Sequence, residues 1–229
     1  MNWKFETLWQ EWRGFLMFIA VMLIFRSAIA DWNQVPTGSM IPSILAGDRI
    51  VVDKTAYDLR VPFTLLRVTR WADPERSDVV TFESPMDGRL LVKRIIGIPG
   101  DAVELKRNSL YINGEPARYE HIDHDTMPKD INAVFPHFDV VKETILGQSR
   151  IVMTDRRTFP QTHSNFGPII VPMGNYLVLG DNRDNSQDFR AIGFIERDLI
   201  LGRADSIAFS LNYDNYYAPR GDRFFRDLE

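Results

Sequence analysis

The chain has 229 residues, of which 45% are hydrophobic and 25% charged, and it carries a formal net charge of −4. This length favours one domain with room for a subdomain or an anchor, and the mild acidity gives no reason to expect nucleic acid as a partner. Because cysteine is absent, disulfides, thiolate zinc sites and a cysteine nucleophile are excluded.

The N-terminal segment has the strongest hydropathy signal. It is predominantly apolar from Gly14 to Ala30, which only just reaches the roughly 17–25 residues that a membrane-spanning helix needs. Trp12 and Trp32 flank it at a spacing of about 30 Å of helix, as aromatic residues at two membrane interfaces do. We predict a transmembrane anchor over residues 14–33. A cleaved secretory signal with an Ala-x-Ala ending and a buried helix of a soluble protein stay open as alternatives.

Beyond residue 33 the sequence predicts a mainly β fold. Short runs rich in Val, Ile, Leu and aromatic residues are separated by Gly, Pro, Asp and Asn, as in strands bounded by turns. We predict strands over six such runs: 49–53, 78–82, 89–98, 110–112, 176–179 and 207–211. Asn113-Gly114 is a strong hairpin-turn signal. No long amphipathic helix is evident between residues 34 and 203.

Three segments outside these strands have less definite patterns. Residues 120–172 are polar and irregular and contain all four histidines, including His121-x-x-His124. No third metal ligand has a recognisable spacing, so we predict no metal and interpret this segment as a solvated, peripheral insertion. The apolar run 61–66 lacks strand alternation and is predicted to enter a membrane interface, with ordinary core as the alternative. Residues 213–229 form an aromatic, arginine-rich tail, either exposed or interfacial.

Three clusters contain residue types that can perform chemistry. Ser39 follows a glycine within 36–40, where a permissive backbone can expose both the hydroxyl and the serine N–H. Lys93 lies in a strand-like apolar stretch, so Lys93 and Arg94 point to opposite faces of that strand. The polar run 180–190 follows a predicted strand. Each cluster alone also has an ordinary structural explanation as a loop, a lysine on an edge strand, or a turn held by ion pairs.

Together the three clusters resemble bacterial type I signal peptidases. The matching motifs are Pro-Thr-Gly-Ser-Met at 36–40, Lys-Arg-Ile-Ile-Gly-Ile-Pro-Gly-Asp at 93–101 and Gly-Asp-Asn-Arg-Asp-Asn-Ser at 180–186. They occur in the family's order after an N-terminal membrane segment, and the resemblance covers residues 34–210. It implies a signal-peptidase-like β-barrel or β-sheet catalytic domain with an irregular inserted subdomain. The implied parts are the cytoplasmic N-terminus 1–13, the anchor 14–33, the catalytic β domain 34–119 with 173–212, the insertion 120–172 and the tail 213–229.

The resemblance also implies a function and a location. The family consists of membrane-bound serine endopeptidases that remove signal peptides from exported preproteins, with small residues preferred at positions −1 and −3. The catalytic domain is expected on the outer face of the bacterial cytoplasmic membrane, in contact with lipid and close to the secretion translocon. No cofactor is expected.

Carried over residue by residue, the resemblance assigns roles to the clusters. Ser39 falls on the nucleophile and Lys93 on the general base, while Thr37 and the Ser39 N–H fall on the oxyanion hole. Ser186 falls on the position that orients the base. Asp188 and Arg190 match a supporting ion pair. The positions around the substrate pockets are Val35, Pro36, Met40, Ile44, Leu91 and Val92, of which position 91 departs from the aromatic residue common in relatives.

The chemistry of a lysine base agrees with these residues. Lysine has a usual pKa of about 10.4 and must lose its proton to activate a serine near neutral pH. Burial among apolar side chains lowers a lysine pKa, and the sequence supplies Leu90, Leu91, Val92, Ile95 and Ile96 as neighbours. A hydroxyl such as that of Ser186 can hold the amine without stabilising its charged form, which a carboxylate would do.

Two other functions compete with this interpretation. A self-cleaving repressor-type peptidase also uses Ser and Lys on a β scaffold, but it predicts a DNA-binding N-terminus in place of the apolar segment. A catalytically inactive membrane-bound binding module predicts loss of Ser39 or Lys93, and both residues are present.

Overall fold

The computed structural model describes residues 3–64, 66–122, 137–155, 165–213 and 215–228, with side chains described from residue 9 onward. The α-helices in these ranges are α1 (Trp3–Ala28) and α2 (Phe189–Ile192). The strands are, in chain order, β1 (Ala30–Gln34), β2 (Asp48–Asp53), β3 (Asp58–Arg60), β4 (Arg67–Arg70), β5 (Val79–Glu83), β6 (Leu90–Gly97), β7 (Ala102–Lys106), β8 (Ser109–Ile112), β9 (Glu115–Pro116), β10 (Arg118–His121), β11 (Phe138–Ile145), β12 (Gln148–Asp155), β13 (Phe166–Ile170), β14 (Asn175–Leu179), β15 (Ile195–Glu196), β16 (Ile200–Asn212), β17 (Ala218–Pro219) and β18 (Arg226–Asp227).

The predicted mainly β architecture is confirmed, and each of the six predicted strands is present. Five of them, now β2, β5, β6, β8 and β14, begin and end within one residue of the prediction, and the sixth is the last part of the longer β16. Burial alternates residue by residue along β2, as expected for a strand with one face on the core. Asn113 and Gly114 both have positive φ and form the two-residue turn between β8 and β9.

The largest sheet has nine strands in the order β1-β2-β16-β5-β6-β14-β15, with β17 and β18 attached to β16. Among the described strands this path ends at β1 and β15, so the sheet is open and the closed barrel that our prediction allowed is wrong. Smaller sheets have the orders β10-β11-β12, β13-β7-β8-β9 and β3-β4.

Strand β6 lies inside the main sheet and organises its surroundings. Strand β5 pairs with β6 along the whole length of β5, whereas β14 pairs only with the second half of β6, from Arg94 to Gly97. Lys93 and Arg94 are both buried, at 2% and 0% exposure. Because neighbouring strand residues point to opposite faces, the side chains of Lys93 and Arg94 make their contacts on opposite sides of the sheet.

The predicted anchor of residues 14–33 does not correspond to one element. Helix α1 ends at Ala28, and the following residues enter β1, which pairs antiparallel with β2 over its five residues. Residues 30–33 are therefore strand, because their backbone groups bond to the sheet. In the part of the chain that the structure describes, no helix is both long and apolar enough to cross a membrane.

The expectation of an irregular, solvated insertion over 120–172 is wrong for the described residues of that range. Strands β11 and β12 form a hairpin, β10 extends it to a three-stranded sheet, and β13 joins the sheet of β7. Glu143 and Arg150 of the hairpin are buried. His124 lies outside the described residues, and among the residues that the structure describes no group of three His, Asp or Glu side chains is arranged to hold a metal.

The C-terminal tail is partly packed into the fold, in contrast to the prediction of an exposed or interfacial segment. Arg223 is completely buried, and its Nε and Nη2 donate to the two carboxylate oxygens of Asp48 at 3.2 and 2.6 Å. Asp48 is the first residue of β2, directly after the segment that carries Ser39. Tyr216 and Phe225 of the tail remain exposed.

Candidate active site

Ser39 and Lys93 are 54 residues apart in sequence and adjacent in the structure. Ser39 lies in the turn segment between β1 and β2, and β6 carries Lys93. The Lys93 Nζ is 2.6 Å from the Ser39 Oγ, and it also donates a 3.0 Å hydrogen bond to the Val92 carbonyl oxygen. The amine is therefore within proton-transfer distance of the hydroxyl.

The electrostatic environment of Lys93 favours its neutral form. Burial lowers the pKa of Lys93 to about 8, because the low-dielectric surroundings disfavour the ammonium ion. The carboxylates of Asp188 and Asp181 act in the opposite direction and limit the shift. At pH 7 a pKa of about 8 leaves roughly one lysine in ten neutral, against fewer than about one in a thousand for an exposed lysine.

A cavity of about 550 Å³ opens beside this pair. Thr37, Ser39, Leu91, Lys93, Ser186 and Arg190 are among the residues that line it. The serine loop, strand β6 and the polar run 180–190 thus contribute to one concave site, although the run is about 90 residues from Lys93 in sequence.

Asn182 joins the polar run to the serine loop. Its backbone N–H donates to the Ser39 carbonyl oxygen and its side-chain Nδ2 to the Gly38 carbonyl oxygen, both at 3.1 Å. The backbone on which the Ser39 hydroxyl stands is therefore held from two sides. Sequence reasoning missed Asn182, and its only signal was an amide within the same run that supplied Ser186, Asp188 and Arg190.

Ser186 lines the same cavity as the pair, but no hydrogen bond joins it to the Lys93 amine. Its Oγ is buried and has no hydrogen-bond partner in the described residues. A Cβ at Gly180 would lie 2.2 Å from this Oγ and 2.5 Å from the Ser39 carbonyl oxygen, so glycine is needed where these segments meet. Thr37, predicted in the oxyanion hole, is exposed and lines the cavity.

Two buried ion pairs support the walls of the cavity. The Arg190 Nη2 is 2.7 Å from the Asp188 Oδ2, and the same carboxylate accepts a hydrogen bond from the Gly180 N–H. On the other face of β6 the Arg94 guanidinium binds Asp181 through Nε and Nη2, at 3.0 and 2.9 Å. The Asp188 carboxylate thus fixes the polar run itself, and the Asp181 carboxylate ties the run to β6, the strand that carries Lys93.

The six predicted substrate residues are divided between the core and the cavity. Val35, Met40 and Ile44 are at most 3% exposed and belong to one core cluster, against which Val92 packs. Their side chains pack against the sheet in the core, so these residues support the backbone of the site. Leu91 lines the cavity, and Pro36 is exposed.

The Lys93 amine is partly deprotonated and lies within hydrogen-bond distance of the Ser39 hydroxyl, in a cavity on a β scaffold. This arrangement suits a serine hydrolase that uses lysine as its base. Comparison with known sequences gives a family. The model of the family described as signal peptidase, peptidase S26, matches residues 9–209. The chain therefore belongs to the signal peptidase family, peptidase S26, whose members are hydrolases.

Individual relatives agree with this family. The chain is 31% identical to signal peptidase I of Buchnera aphidicola, over 93% of the chain and 78% of that protein. It is 33% identical to signal peptidase I of Pseudomonas aeruginosa, over 86% of the chain and 71% of that protein. Among solved structures, a signal peptidase I from Enterococcus faecalis is 27% identical, with a TM-score of 0.35, and the match covers 58% of the chain and 97% of that structure.

Proposed function

We propose that this chain is a membrane-bound serine endopeptidase that removes N-terminal signal peptides from exported preproteins. Membership of the signal peptidase family supports the reaction. The observation that carries the mechanism is the 2.6 Å separation between the Lys93 Nζ and the Ser39 Oγ, at a lysine that is 2% exposed.

In the proposed reaction, neutral Lys93 accepts the proton of the Ser39 hydroxyl as the Oγ attacks the scissile carbonyl carbon. The resulting tetrahedral intermediate collapses as the C–N bond breaks, and the Lys93 ammonium returns the proton to the leaving amine. A water molecule, deprotonated by Lys93, then attacks the acyl carbon; the bond from this carbon to the Ser39 Oγ breaks, and the Lys93 ammonium returns the proton to that oxygen. The low pKa of Lys93 supports each of these transfers.

The oxyanion of this intermediate needs preorganised donors, which are worth on the order of 3–4 kcal/mol each in comparable proteases. We assign this role to the Ser39 N–H and the Thr37 hydroxyl, two residues apart on the cavity wall. We assign to Ser186 the orientation of the Lys93 amine. Its buried, unpartnered Oγ at the same cavity supports a role in which the hydrogen bond forms with substrate present.

The proposed substrate segment binds as an added strand. In the described strands, the Leu90–Lys93 part of β6 is paired by β5 on one side only, since β14 begins its pairing at Arg94. An extended peptide can use this free edge for backbone hydrogen bonds and place its carbonyl next to Ser39. Leu91 at the cavity supports an apolar pocket for a small side chain, in line with a preference for small residues at −1 and −3.

We also propose that the enzyme acts at the outer face of the bacterial cytoplasmic membrane, near the secretion translocon. Every side chain from residue 15 to 25 in α1 is exposed, which makes an apolar surface suited to lipid. The run 61–66 lies beside the end of this helix, because the Phe63 N–H donates to the Ser27 Oγ at 2.6 Å. Phe63 and Leu66 are each 69% exposed, whereas Leu65 lies outside the described residues.

Cleavage of a preprotein with alanine at −1 and −3 tests the reaction. We expect the wild type and the exposed-lysine control Lys142→Ala to cleave it and Ser39→Ala and Lys93→Ala to be inactive. Activity that survives in either of the last two variants would disprove the dyad.

Vesicle flotation tests the membrane contact. Replacing Phe63 and Leu66 by serine (Phe63→Ser with Leu66→Ser) should weaken flotation of the chain, and unchanged flotation argues against a role for the run 61–66.

A further inference from the structure

Glu143 of the β11–β12 hairpin is the centre of a buried ionic cluster that the catalytic proposal does not use. It is 0% exposed, and its cross-strand neighbours are Tyr119 on β10 and Arg150 on β12. The Tyr119 hydroxyl donates to Oε2 and the Arg150 Nε donates to Oε1, both at 2.7 Å. A carboxylate buried this deeply requires such partners, since without them its desolvation is strongly unfavourable.

The third partner of Glu143 comes from the polar run of the candidate active site. Arg183 donates from Nη1 to Oε2 at 2.8 Å and from Nη2 to Oε1 at 2.7 Å, which is a bidentate pair. Although burial raises the pKa of Glu143, the two guanidiniums of Arg183 and Arg150 outweigh it and lower the pKa to about 2. The carboxylate is therefore ionised at neutral pH.

Backbone bonds between the hairpin and the polar run flank Asn182. The Met153 N–H donates to the Asp181 carbonyl oxygen at 2.8 Å, and the Arg183 N–H donates to the Met153 carbonyl oxygen at 2.9 Å. Asn182, between these two bonds, in turn holds the Gly38 and Ser39 carbonyl oxygens. A continuous set of short contacts therefore leads from Glu143 to the backbone of Ser39.

We infer that Glu143 is a positioning residue for the Ser39 hydroxyl, acting through Arg183 and Asn182. The inference rests on the proposed Ser39–Lys93 mechanism. With Glu143 replaced, two arginines lose their counter-charge in the interior, and Arg183 is no longer fixed in the run. The Asn182 amide then shifts relative to the Gly38 and Ser39 carbonyl oxygens of the serine loop. A displacement of about 1 Å between reacting groups lowers rates on the order of 100-fold.

A double-mutant cycle on preprotein cleavage tests this inference. The variants are Glu143→Gln, Asn182→Ala and the two combined, assayed beside the wild type and Ser39→Ala in detergent micelles. We expect Glu143→Gln to lower kcat on the order of 100-fold with KM unchanged. We expect the combined variant to be no slower than the slower single variant, because both substitutions interrupt the same set of contacts.

Asp58→Asn provides a matched control, because Asp58 is also a buried carboxylate that accepts from several arginines. Its partners are Arg60, Arg67 and Arg197, none of which contacts the polar run or the serine loop in the described residues. We expect Asp58→Asn to lower Tm as Glu143→Gln does but to leave kcat near that of the wild type. If Glu143→Gln fails to fold, Glu143→Asp, which keeps the charge on a shorter side chain, takes its place.

The outcomes separate the two proposals. Wild-type inactivity, or activity in Ser39→Ala, refutes the proposed function itself. If those two behave as expected, a kcat of Glu143→Gln equal to that of Asp58→Asn refutes the positioning role alone. Multiplicative losses in the combined variant refute it as well, since independent effects do not share a route through Asn182.

Discussion

Replacement of Lys93 by methionine should abolish catalysis and stabilise the protein at the same time. Methionine has a similar length and no charge, so it can occupy the same space beside Ser39 without an ammonium group. Lys93 is 2% exposed, and its burial is the largest cause of its lowered pKa. A buried base that must be neutral to act therefore destabilises the fold whenever it is protonated.

The size of this effect follows from the two pKa values. The pKa falls from 10.5 to about 8 on folding, a shift of about 2.5 units, and each unit corresponds to about 1.36 kcal/mol, which gives about 3 kcal/mol. Because the unfolded chain binds the proton more tightly, stability rises with pH between about 8 and 10.5. The penalty is complete below pH 8 and absent above pH 10.5. At pH 7, Lys93→Met should therefore be more stable by about 3 kcal/mol.

Urea unfolding in detergent micelles at pH 7 and at pH 10 measures this difference. We expect the advantage of Lys93→Met to shrink as the pH rises, whereas the exposed control Lys142→Met should show no such trend. The same ionisation should give kcat/KM of the wild type an acidic limb with an apparent pKa of about 8. An advantage of Lys93→Met that is independent of pH, or absent at pH 7, would refute the reasoning.

Three further predictions concern the surroundings of the site. Gly180→Ala should abolish activity, because the added Cβ would meet the Ser186 Oγ at 2.2 Å and backbone beyond it, and preprotein cleavage measures the loss. Arg223→Met should lower stability by about 3–5 kcal/mol, since it leaves the Asp48 carboxylate buried and unpaired; a Tm equal to that of the wild type would contradict this. The Ala30–Asp31 bond should resist self-cleavage because β1 is paired in the sheet, so mass spectrometry of the purified chain should find an intact N-terminus after incubation.

The local elements of this fold could be predicted because their signals are local. β2 and β8 are runs rich in Val, Ile, Leu or Tyr whose burial alternates along the strand, and Asn113-Gly114 has the positive φ values that its hairpin requires. The length of β16 could not be predicted. Its first residues, Ile200 to Asp205, include glycine and charged side chains whose strand conformation is imposed by pairing with β2 and β5.

The packing around the site was less predictable than its chemistry. The resemblance to the family placed Val35, Met40 and Ile44 around the substrate pockets, yet an apolar residue near a nucleophile can equally face the core, where these three side chains are packed. Arg223 and Glu143 lie in segments whose composition is typical of solvated tails and insertions. Their burial depends on partners 175 and 40 residues away, and no local pattern encodes such a distance.

The order of strands explains why three separate clusters form one site. β6 carries Lys93 and is bordered by β5 and β14, and the end of β14 leads directly into Gly180 and the polar run. Asn182 then reaches back to the loop of Ser39, which follows β1 at the far end of the same sheet. The nucleophile and the base are thus supplied by different parts of the sheet, and the polar run bonds to both parts, through Asn182 to the serine loop and through Asp181 to Arg94 of β6. The geometry of the Ser39–Lys93 pair should therefore be more sensitive to changes in the run than to equally large changes in either strand.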